Sequence, residues 1–143
     1  MLKGIPSILS PELLKTLMEM GHGDELVIGD GNFPHANYAQ RLIRCDGHGV
    51  PELLDAILTF FPLDTYVEAP AALMEVVKGL NVPTPVIWGK FMELLAKHEP
   101  TNNKVEYMER FAFYDRAKAA YAIIATGESA IYANIILKKG VVI

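Results

Sequence analysis

The sequence predicts an α/β protein, a three-layer α/β/α sandwich with a largely parallel sheet. Apolar residues recur at helical spacing in some segments and form short runs typical of buried strands in others. These two patterns alternate almost to the end of the chain, as they do in layered α/β folds. The 143 residues have the length of one domain, and no internal repeat, low-complexity tract or linker divides them. We therefore expect a single domain over residues 1–143.

Helices are predicted from capping residues and from apolar positions three and four residues apart. Ser10 before Pro11 is a typical helix start, because serine accepts from free backbone N–H groups and proline at the first helical position loses no needed donor. Thr84 before Pro85 repeats this pattern, and Gly21 can end the first helix. The predicted helices are approximately residues 11–20, 51–61, 85–98 and 112–120.

Strands are predicted from short apolar or β-branched runs that turn-forming residues bound. The run 25–28 is too short and too apolar for anything but a buried strand, and a turn-rich loop over 29–35 follows it. The segment 72–78 has an ambiguous period, so both strand and helix remain open for it. The predicted strands are residues 25–28, 41–45, 65–68, 105–108, 121–125 and 135–137.

The composition argues against several classes of partner. The net charge is −4, and no basic cluster is longer than Lys138–Lys139, so we expect no nucleic-acid partner. No apolar run approaches the roughly 20 residues that span a bilayer, so no membrane partner is expected. Cys45 is the only cysteine, which fits a reducing, cytoplasmic location. Hydrophobic residues make up 51%, which favours burial of apolar surface between the subunits of a homo-oligomer.

Residues 20–35 gather two histidines, two aspartates and a glutamate around the first predicted strand. His22 and Asp30 flank that strand, and loops at strand ends of open α/β sheets often form a ligand crevice. Imidazole titrates near neutral pH and a carboxylate can hold a hydroxyl, so the pair suits general acid/base chemistry. A structural interpretation also stays open, with His22 interacting with helix carbonyls and Asp30 forming a turn.

A second group of polar residues lies toward the C-terminal end of the chain. Arg110 offers a planar fork of donors, and Asn134 offers both a donor and an acceptor, which suits the recognition of sugar hydroxyls. Tyr132 can stack on a sugar ring or act as a weak acid through its phenol. At least one of Phe111 and Phe113 is expected in the core instead.

Other chemistries find less support in the sequence. The glycine-rich loop 29–32 lacks the Gly-Lys-Ser/Thr of a P-loop and the spacing of a dinucleotide turn. Cys45 lies inside an apolar strand, and no Gly-x-Ser-x-Gly elbow is present, so covalent catalysis is not expected. Four residues could ligate a divalent ion but match no tight metal motif: His22, Asp24, Asp30 and His35.

Several motifs occur together in one order along nearly the whole chain. They are Ser-Pro-Glu-Leu-Leu-Lys (10–15), Met-Gly-His-Gly-Asp-Glu (20–25), Asp30, Asn32-Phe-Pro, Arg-Phe-Ala-Phe-Tyr (110–114), Thr-Gly-Glu (126–128) and Tyr-Ala-Asn-Ile-Ile-Leu-Lys-Lys-Gly-Val (132–141). In these motifs the chain resembles the D-ribose pyranase and L-fucose mutarotase family. The ribose branch typically has histidine where Arg110 stands and lysine where Tyr114 stands, so the chain is similar to the fucose branch.

The resemblance implies roles for individual residues. His22 corresponds to the catalytic acid/base group, and the sugar is held by Asp30, Arg110, Tyr132 and Asn134, with the Ala133 backbone lining the pocket and Tyr114 as a further candidate. The resemblance also implies ring-like homo-oligomers, such as decamers, whose sites use residues of two neighbouring subunits. It implies a single sugar mutarotase domain that needs no cofactor and no metal. The chain departs from the family pattern at Gly31, His35 and His48. The resemblance therefore defines the preferred sugar less well than it defines the reaction type.

Mutarotation interconverts the α and β anomers of a sugar through the open-chain aldehyde. One group must remove the proton of the anomeric hydroxyl, and another must protonate the ring oxygen. We expect His22 to be one of them, and Tyr132 or a bound water to be the other. The expected substrate is the monosaccharide L-fucose. The alternatives are a D-ribose pyranase, a non-catalytic sugar-binding accessory of a transport system, and a small metal-dependent hydrolase.

Overall fold

The computed structural model describes residues 1–143 as five helices and six strands. The helices are α1 (Pro11–Glu19), α2 (His35–Tyr38), α3 (Val50–Leu58), α4 (Ile87–His98) and α5 (Arg110–Ala119). The strands are β1 (Glu25–Gly29), β2 (Leu42–Cys45), β3 (Ala71–Met74), β4 (Val105–Met108), β5 (Ala122–Thr126) and β6 (Ile135–Lys138). None of the helices has the length and apolar character needed to cross a membrane.

The six strands form one sheet in the order β2-β5-β1-β6-β3-β4. The pairs β1–β5, β2–β5 and β3–β4 are parallel, whereas β6 runs antiparallel to both β1 and β3. A parallel neighbour usually requires a crossover helix. The connection from β5 to β6 has no helix, so β6 enters the sheet in the opposite direction. The largely parallel sheet predicted from the sequence is confirmed.

Helices cover both faces of the sheet. The large apolar core joins α1, α3 and α4 to one face, to which Leu26 and Ile28 of β1 point. The smaller core joins α2 and α5 to the opposite face, to which Val27 points. This alternation along β1 is the two-residue period of a strand that is buried on both faces. The three-layer sandwich is therefore confirmed.

The predicted strand over 65–68 is wrong, because side chains occupy the backbone groups that a sheet would use. The Asp64 carboxylate accepts the Tyr66 N–H at 3.0 Å, as in an Asx turn, and Asn102 donates to the Val67 carbonyl at 2.9 Å. The strand begins after Pro70 instead, which resolves the ambiguous segment 72–78 as the strand β3 followed by a loop.

Two helix predictions also need correction. The helix α2 lies partly within the predicted loop 29–35, and its four residues are too short for an apolar period to reveal. The helix α5 begins two residues earlier than predicted, because the Glu109 carboxylate accepts the N–H groups of Phe111 and Ala112 and so caps it. This cap places Arg110 at the first helical position.

One edge of the sheet collects the loops that bear the candidate site. The strands β1, β3 and β4 end at this edge, and β6 begins there because it runs in the opposite direction. Asp30 follows β1, Arg110 follows β4, and the loop 127–134 leads into β6. Three segments far apart in the sequence therefore meet at one place.

Candidate functional site

A cavity of about 180 Å³ opens at this edge of the sheet. At roughly 30 Å³ for each molecule of liquid water, it has room for about six waters, the scale of a monosaccharide. Five of the residues predicted to contact a sugar line it. The lining residues are Asp30, Asn32, Phe33, Met74, Arg110, Tyr114, Ile131, Tyr132 and Asn134.

A larger groove, of about 620 Å³, lies between the N-terminal segment and α1. Its lining is mostly apolar, and Lys15 is its only titratable side chain. Because acid/base chemistry needs convergent polar groups, the smaller cavity is the better candidate for a catalytic site.

Asp30 is the buried anionic group of the cavity, with 4% of its surface exposed. One carboxylate oxygen accepts the Asn32 N–H at 3.0 Å, and the other accepts the Ala133 N–H at 3.2 Å. The Asp30 N–H in turn donates to Asn134 Oδ1 at 2.7 Å. Burial raises the pKa of Asp30, although these hydrogen bonds and the nearby His35 oppose the rise.

Ala133 contributes to the site through this one hydrogen bond. It is fully buried and does not line the cavity. Its N–H reaches Asp30 from behind the cavity wall, so its backbone supports the carboxylate.

Arg110 brings donors that no group of the chain occupies. Its Nε is buried without a hydrogen-bond partner, and its guanidinium lies over the ring of Phe111, 4.6 Å from the centroid. A buried unpaired donor is unfavourable in an empty site and is satisfied when a ligand supplies an acceptor. Arg110 therefore brings an unpaired buried donor to the lining of the cavity.

Tyr114 lies one turn after Arg110 on the same side of α5. Its ring packs against Phe33, Tyr38 and Phe111. Burial raises the pKa of its phenol, so Tyr114 keeps its proton at neutral pH.

Tyr132 is the only residue other than glycine that has a positive φ, 57°. Its hydroxyl oxygen accepts the Val77 N–H at 3.3 Å. The hydroxyl proton has no acceptor within the chain, so it is available for donation.

His22 lies away from the cavity of its own chain. It precedes β1, whereas Asp30 follows it, and about 13 Å of extended strand lies between Glu25 and Gly29 at roughly 3.3 Å per residue. The two residues therefore occupy opposite edges of the sheet and share no crevice within one chain. His22 Nε2 instead lies 3.1 Å from Asp64 Oδ1, and its ring packs 5.5 Å from that of Tyr66.

Asp64 is a candidate residue that sequence reasoning missed. It is 3% exposed. Burial alone would raise its pKa, but hydrogen bonds from the Tyr66 N–H and from His22 outweigh burial and lower it. Because an ionised carboxylate only accepts, His22 Nε2 is the donor in this contact, and Nδ1 has no hydrogen-bond partner within the chain. No local sequence pattern marks Asp64, because its partner His22 is 42 residues away.

The four residues considered as metal ligands do not come together. His22 and Asp24 precede β1, whereas Asp30 and His35 follow it. No group of three or more His, Cys, Asp or Glu side chains lies close enough to hold a metal ion. His35 packs against the ring of Phe33 at 5.5 Å, and burial lowers its pKa.

Known proteins share both the sequence and the fold. The fucose mutarotase of Danio rerio is 54% identical over 99% of this chain and 94% of its own length. The crystal structure of the fucose mutarotase from Streptococcus pneumoniae in complex with L-fucose is 54% identical and matches with a TM-score of 0.93 over 99% of this chain and 100% of its own. The structure of FucU from Bifidobacterium longum is 57% identical and matches with a TM-score of 0.94 over the same shares of the two chains.

A family model agrees with these relatives. The model described as the RbsD / FucU transport protein family matches residues 3–142. This match covers nearly the whole chain, and it confirms the resemblance found in the sequence motifs. The chain therefore belongs to the RbsD / FucU transport protein family.

Proposed function

We propose that this protein is an L-fucose mutarotase, in which residues 1–143 act as one sugar mutarotase domain. It interconverts the α and β anomers of L-fucose by general acid/base ring opening and closing, with no cofactor and no metal. The observation that carries the proposal is the buried Asp30 carboxylate in the same small cavity as the unpaired Arg110 Nε. Relatives named fucose mutarotase, one of them solved with L-fucose, support the choice of sugar.

The polar residues of the cavity bind the sugar by complementary hydrogen bonds. Asp30 accepts from sugar hydroxyls, and Arg110 donates to sugar oxygens. Asn134 and Tyr114 line the same cavity and add further polar contacts. The apolar side chains Phe33, Met74 and Ile131 offer a surface for the methyl group that distinguishes a 6-deoxy sugar.

Proton transfer then opens and closes the ring. As the anomeric hydroxyl loses its proton, the bond from the anomeric carbon to the ring oxygen breaks, and the ring oxygen gains a proton. Rotation of the resulting aldehyde and reversal of both transfers give the other anomer, with no net change in protons. Tyr132 is one transfer group and His22 is the other.

His22 needs a second chain to play this part. Within one chain, β1 separates it from the cavity. We infer that His22 acts in the cavity of a neighbouring subunit of a cytoplasmic homo-oligomer, a ring-like assembly such as a decamer. Large exposed side chains flank both regions, which fits burial against another subunit: Tyr66 beside His22, and Phe111 and Ile131 at the cavity.

Saturation-transfer proton NMR tests the reaction directly. Equilibrated L-fucose and D-ribose are measured in parallel, with and without catalytic amounts of protein. We expect faster exchange between the anomeric signals of L-fucose, and loss of this effect in His22→Ala. Enhancement for D-ribose alone would favour a D-ribose pyranase. Sugar binding without any enhancement would favour a non-catalytic sugar-binding accessory.

A further inference from the structure

The peptide group between Tyr132 and Ala133 is held from both sides. Trp88 Nε1 donates to the Tyr132 carbonyl at 2.8 Å, and the Ala133 N–H donates to Asp30 Oδ2 at 3.2 Å. A peptide group is planar, so fixing the direction of its carbonyl also fixes the direction of its N–H. The indole of Trp88 therefore orients the group that joins Tyr132 to Asp30.

This restraint acts where the backbone is least favourable. The φ of 57° at Tyr132 lies in the left-handed region, which residues with a side chain rarely adopt. Such a conformation persists only where its surroundings hold it. The Tyr132 hydroxyl is also held, by the Val77 N–H at 3.3 Å. The two contacts come from the segment between β3 and α4 and from the first turn of α4.

Trp88 is placed rigidly enough to serve this purpose. It is the second residue of α4, and only 9% of its surface is exposed. Its ring belongs to the large core and also packs 5.4 Å from the ring of Tyr107. Trp88 does not line the cavity, so it does not touch a bound sugar.

We propose that Trp88 is a positioning residue for the mutarotase reaction, holding the left-handed backbone of Tyr132 so that its hydroxyl faces the sugar. This inference rests on the proposed function, because it requires Tyr132 to exchange a proton with the substrate. Without the indole N–H, the peptide group can rotate, which changes the ψ of Tyr132 and removes one of the contacts that hold its left-handed backbone. The hydroxyl then leaves its place beside the Val77 N–H.

The first test is Trp88→Phe, which keeps an aromatic ring but removes the N–H donor. Its matched control is Tyr107→Leu, which removes packing against the same indole but leaves the hydrogen bond intact. At saturating L-fucose, we expect Trp88→Phe to lower the exchange rate at least about tenfold. We expect Tyr107→Leu to stay within about twofold of the wild type.

A double-mutant cycle separates positioning from general loss of structure. In the Tyr132→Phe background, the further effect of Trp88→Phe should nearly vanish, because the hydroxyl that Trp88 places is already absent. Equal fold-losses in the two backgrounds would overturn the proposal, since damage to the fold alone would act the same way in both.

A measurement on the wild-type protein does not depend on any variant folding. Trp88 is the only tryptophan, so the protein has one indole ¹H–¹⁵N signal. We expect this N–H to exchange slowly with solvent and its signal to shift when L-fucose saturates the cavity. A fast-exchanging N–H that does not respond to the sugar would overturn the proposal.

The proposed function and this inference fail in different ways. A wild-type protein that accelerates the exchange of neither sugar contradicts the mutarotase function. An active wild type in which Trp88→Phe is as active as Tyr107→Leu contradicts only the role of Trp88.

Discussion

The two ends of β1 carry the two halves of the proposed chemistry, and the chain holds them very differently. At the carboxyl end, Asp30 is 4% exposed, and backbone N–H groups hold both of its carboxylate oxygens. At the amino end, 45% of the His22 side chain is exposed, and one polar contact, with Asp64, holds it. The binding half is thus largely preorganised within one chain, whereas the proton-transfer half is presented outward.

Strand geometry explains why both halves cannot serve one cavity of a monomer. A strand is extended, so its two ends are separated by its full length. A second chain that brings its own His22 to the cavity removes this constraint. The contrast between the ends therefore leads to predictions that a self-contained site would not satisfy.

The largest expected effect is the loss of the exchange rate in His22→Ala. General acid/base groups contribute about 10²- to 10⁴-fold, so we expect a decrease of at least about 100-fold in the rate at saturating L-fucose, with little change in affinity. The matched control is His48→Ala. That histidine is similarly exposed and also paired with a carboxylate, that of Glu52, so its loss should leave the rate unchanged.

Mixed oligomers of two inactive variants test whether the two halves of one site come from different subunits. If His22 acts in a neighbouring subunit, co-expression of His22→Ala with Asp30→Ala rebuilds intact sites, roughly a quarter of the total on random mixing. Co-expression of Asp30→Ala with Arg110→Ala should give no activity beyond that of the Arg110→Ala subunits, because both changes affect the same half. Absence of recovery in the first mixture would contradict sharing of the site between subunits.

Arg110→Ala should mainly weaken binding. Loss of hydrogen bonds from a charged group costs about 1.5–3 kcal/mol, equivalent to roughly 10- to 150-fold in affinity. Titration calorimetry with L-fucose measures this change. Arg41→Ala is the matched control, because Arg41 lies over the ring of Tyr121 outside the cavity. An affinity that both variants lose equally would remove Arg110 from the binding role.

Low pH should weaken the binding of L-fucose through Asp30. An ordinary aspartate has a pKa of about 3.9. The pKa of Asp30 is raised, so its carboxylate becomes protonated at a higher pH than that of an ordinary aspartate. L-Fucose affinity should therefore fall, up to about tenfold, as the pH decreases through the raised pKa. Asp30→Asn should abolish this pH dependence of affinity, whereas Asp24→Asn should keep it.

The contributions of Asp30 and Asp64 to folding stability follow from the signs of their pKa shifts. The raised pKa of Asp30 stabilises the fold at pH values below the ordinary aspartate pKa. This contribution is lost as the pH rises through the raised pKa. Ionised Asp30 therefore opposes folding at neutral pH. The lowered pKa of Asp64 stabilises the fold above the ordinary value and is lost as the pH falls through the lowered one. Denaturation curves of variants that lack either the Asp30 or the Asp64 carboxylate, measured across this pH range, check the direction of each contribution to stability.

The last prediction concerns folding stability and compares Gly29→Ala with a change at the other end of β1. A Cβ at Gly29 would lie 2.8 Å from both His35 Nε2 and the Phe33 Cβ, so we expect a loss of about 1–3 kcal/mol in the free energy of unfolding. Gly21→Ala, at the other end of β1, meets only Asp24 Oδ2 at 3.7 Å and should be nearly neutral. Thermal melts of the two variants compare the packing at the two ends.

The predictability of the fold depends on how far apart the interacting residues are in the sequence. Apolar or β-branched runs predicted five of the six strands. The pattern is nearly unbroken in β1, β5 and β6, because these strands are buried on both faces. The strand prediction for 65–68 is wrong because the Asp64 carboxylate accepts the Tyr66 N–H, which is then not available for strand pairing. The four-residue helix α2 is shorter than the period that reveals a helix.

The predictability of the candidate site depends on sequence separation in the same way. Arg110, Asn134 and Asp30 follow from residue chemistry and from motifs that are local in sequence. Asp64 and Trp88 were missed because their partners are 42 and 44 residues away, a distance that no local pattern records. The separation of His22 from the cavity depends on strand direction and strand order, which only the assembled sheet reveals.

The central place of β6 has a consequence for protein synthesis. This strand, the last of the six to leave the ribosome, lies between β1 and β3, which do not pair with each other directly. Until it emerges, a nascent chain has two half-sheets with unpaired edges, and such edges are prone to aggregate. Tyr132 and Asn134 immediately precede β6, so the cavity is completed only after the other five strands have been synthesised.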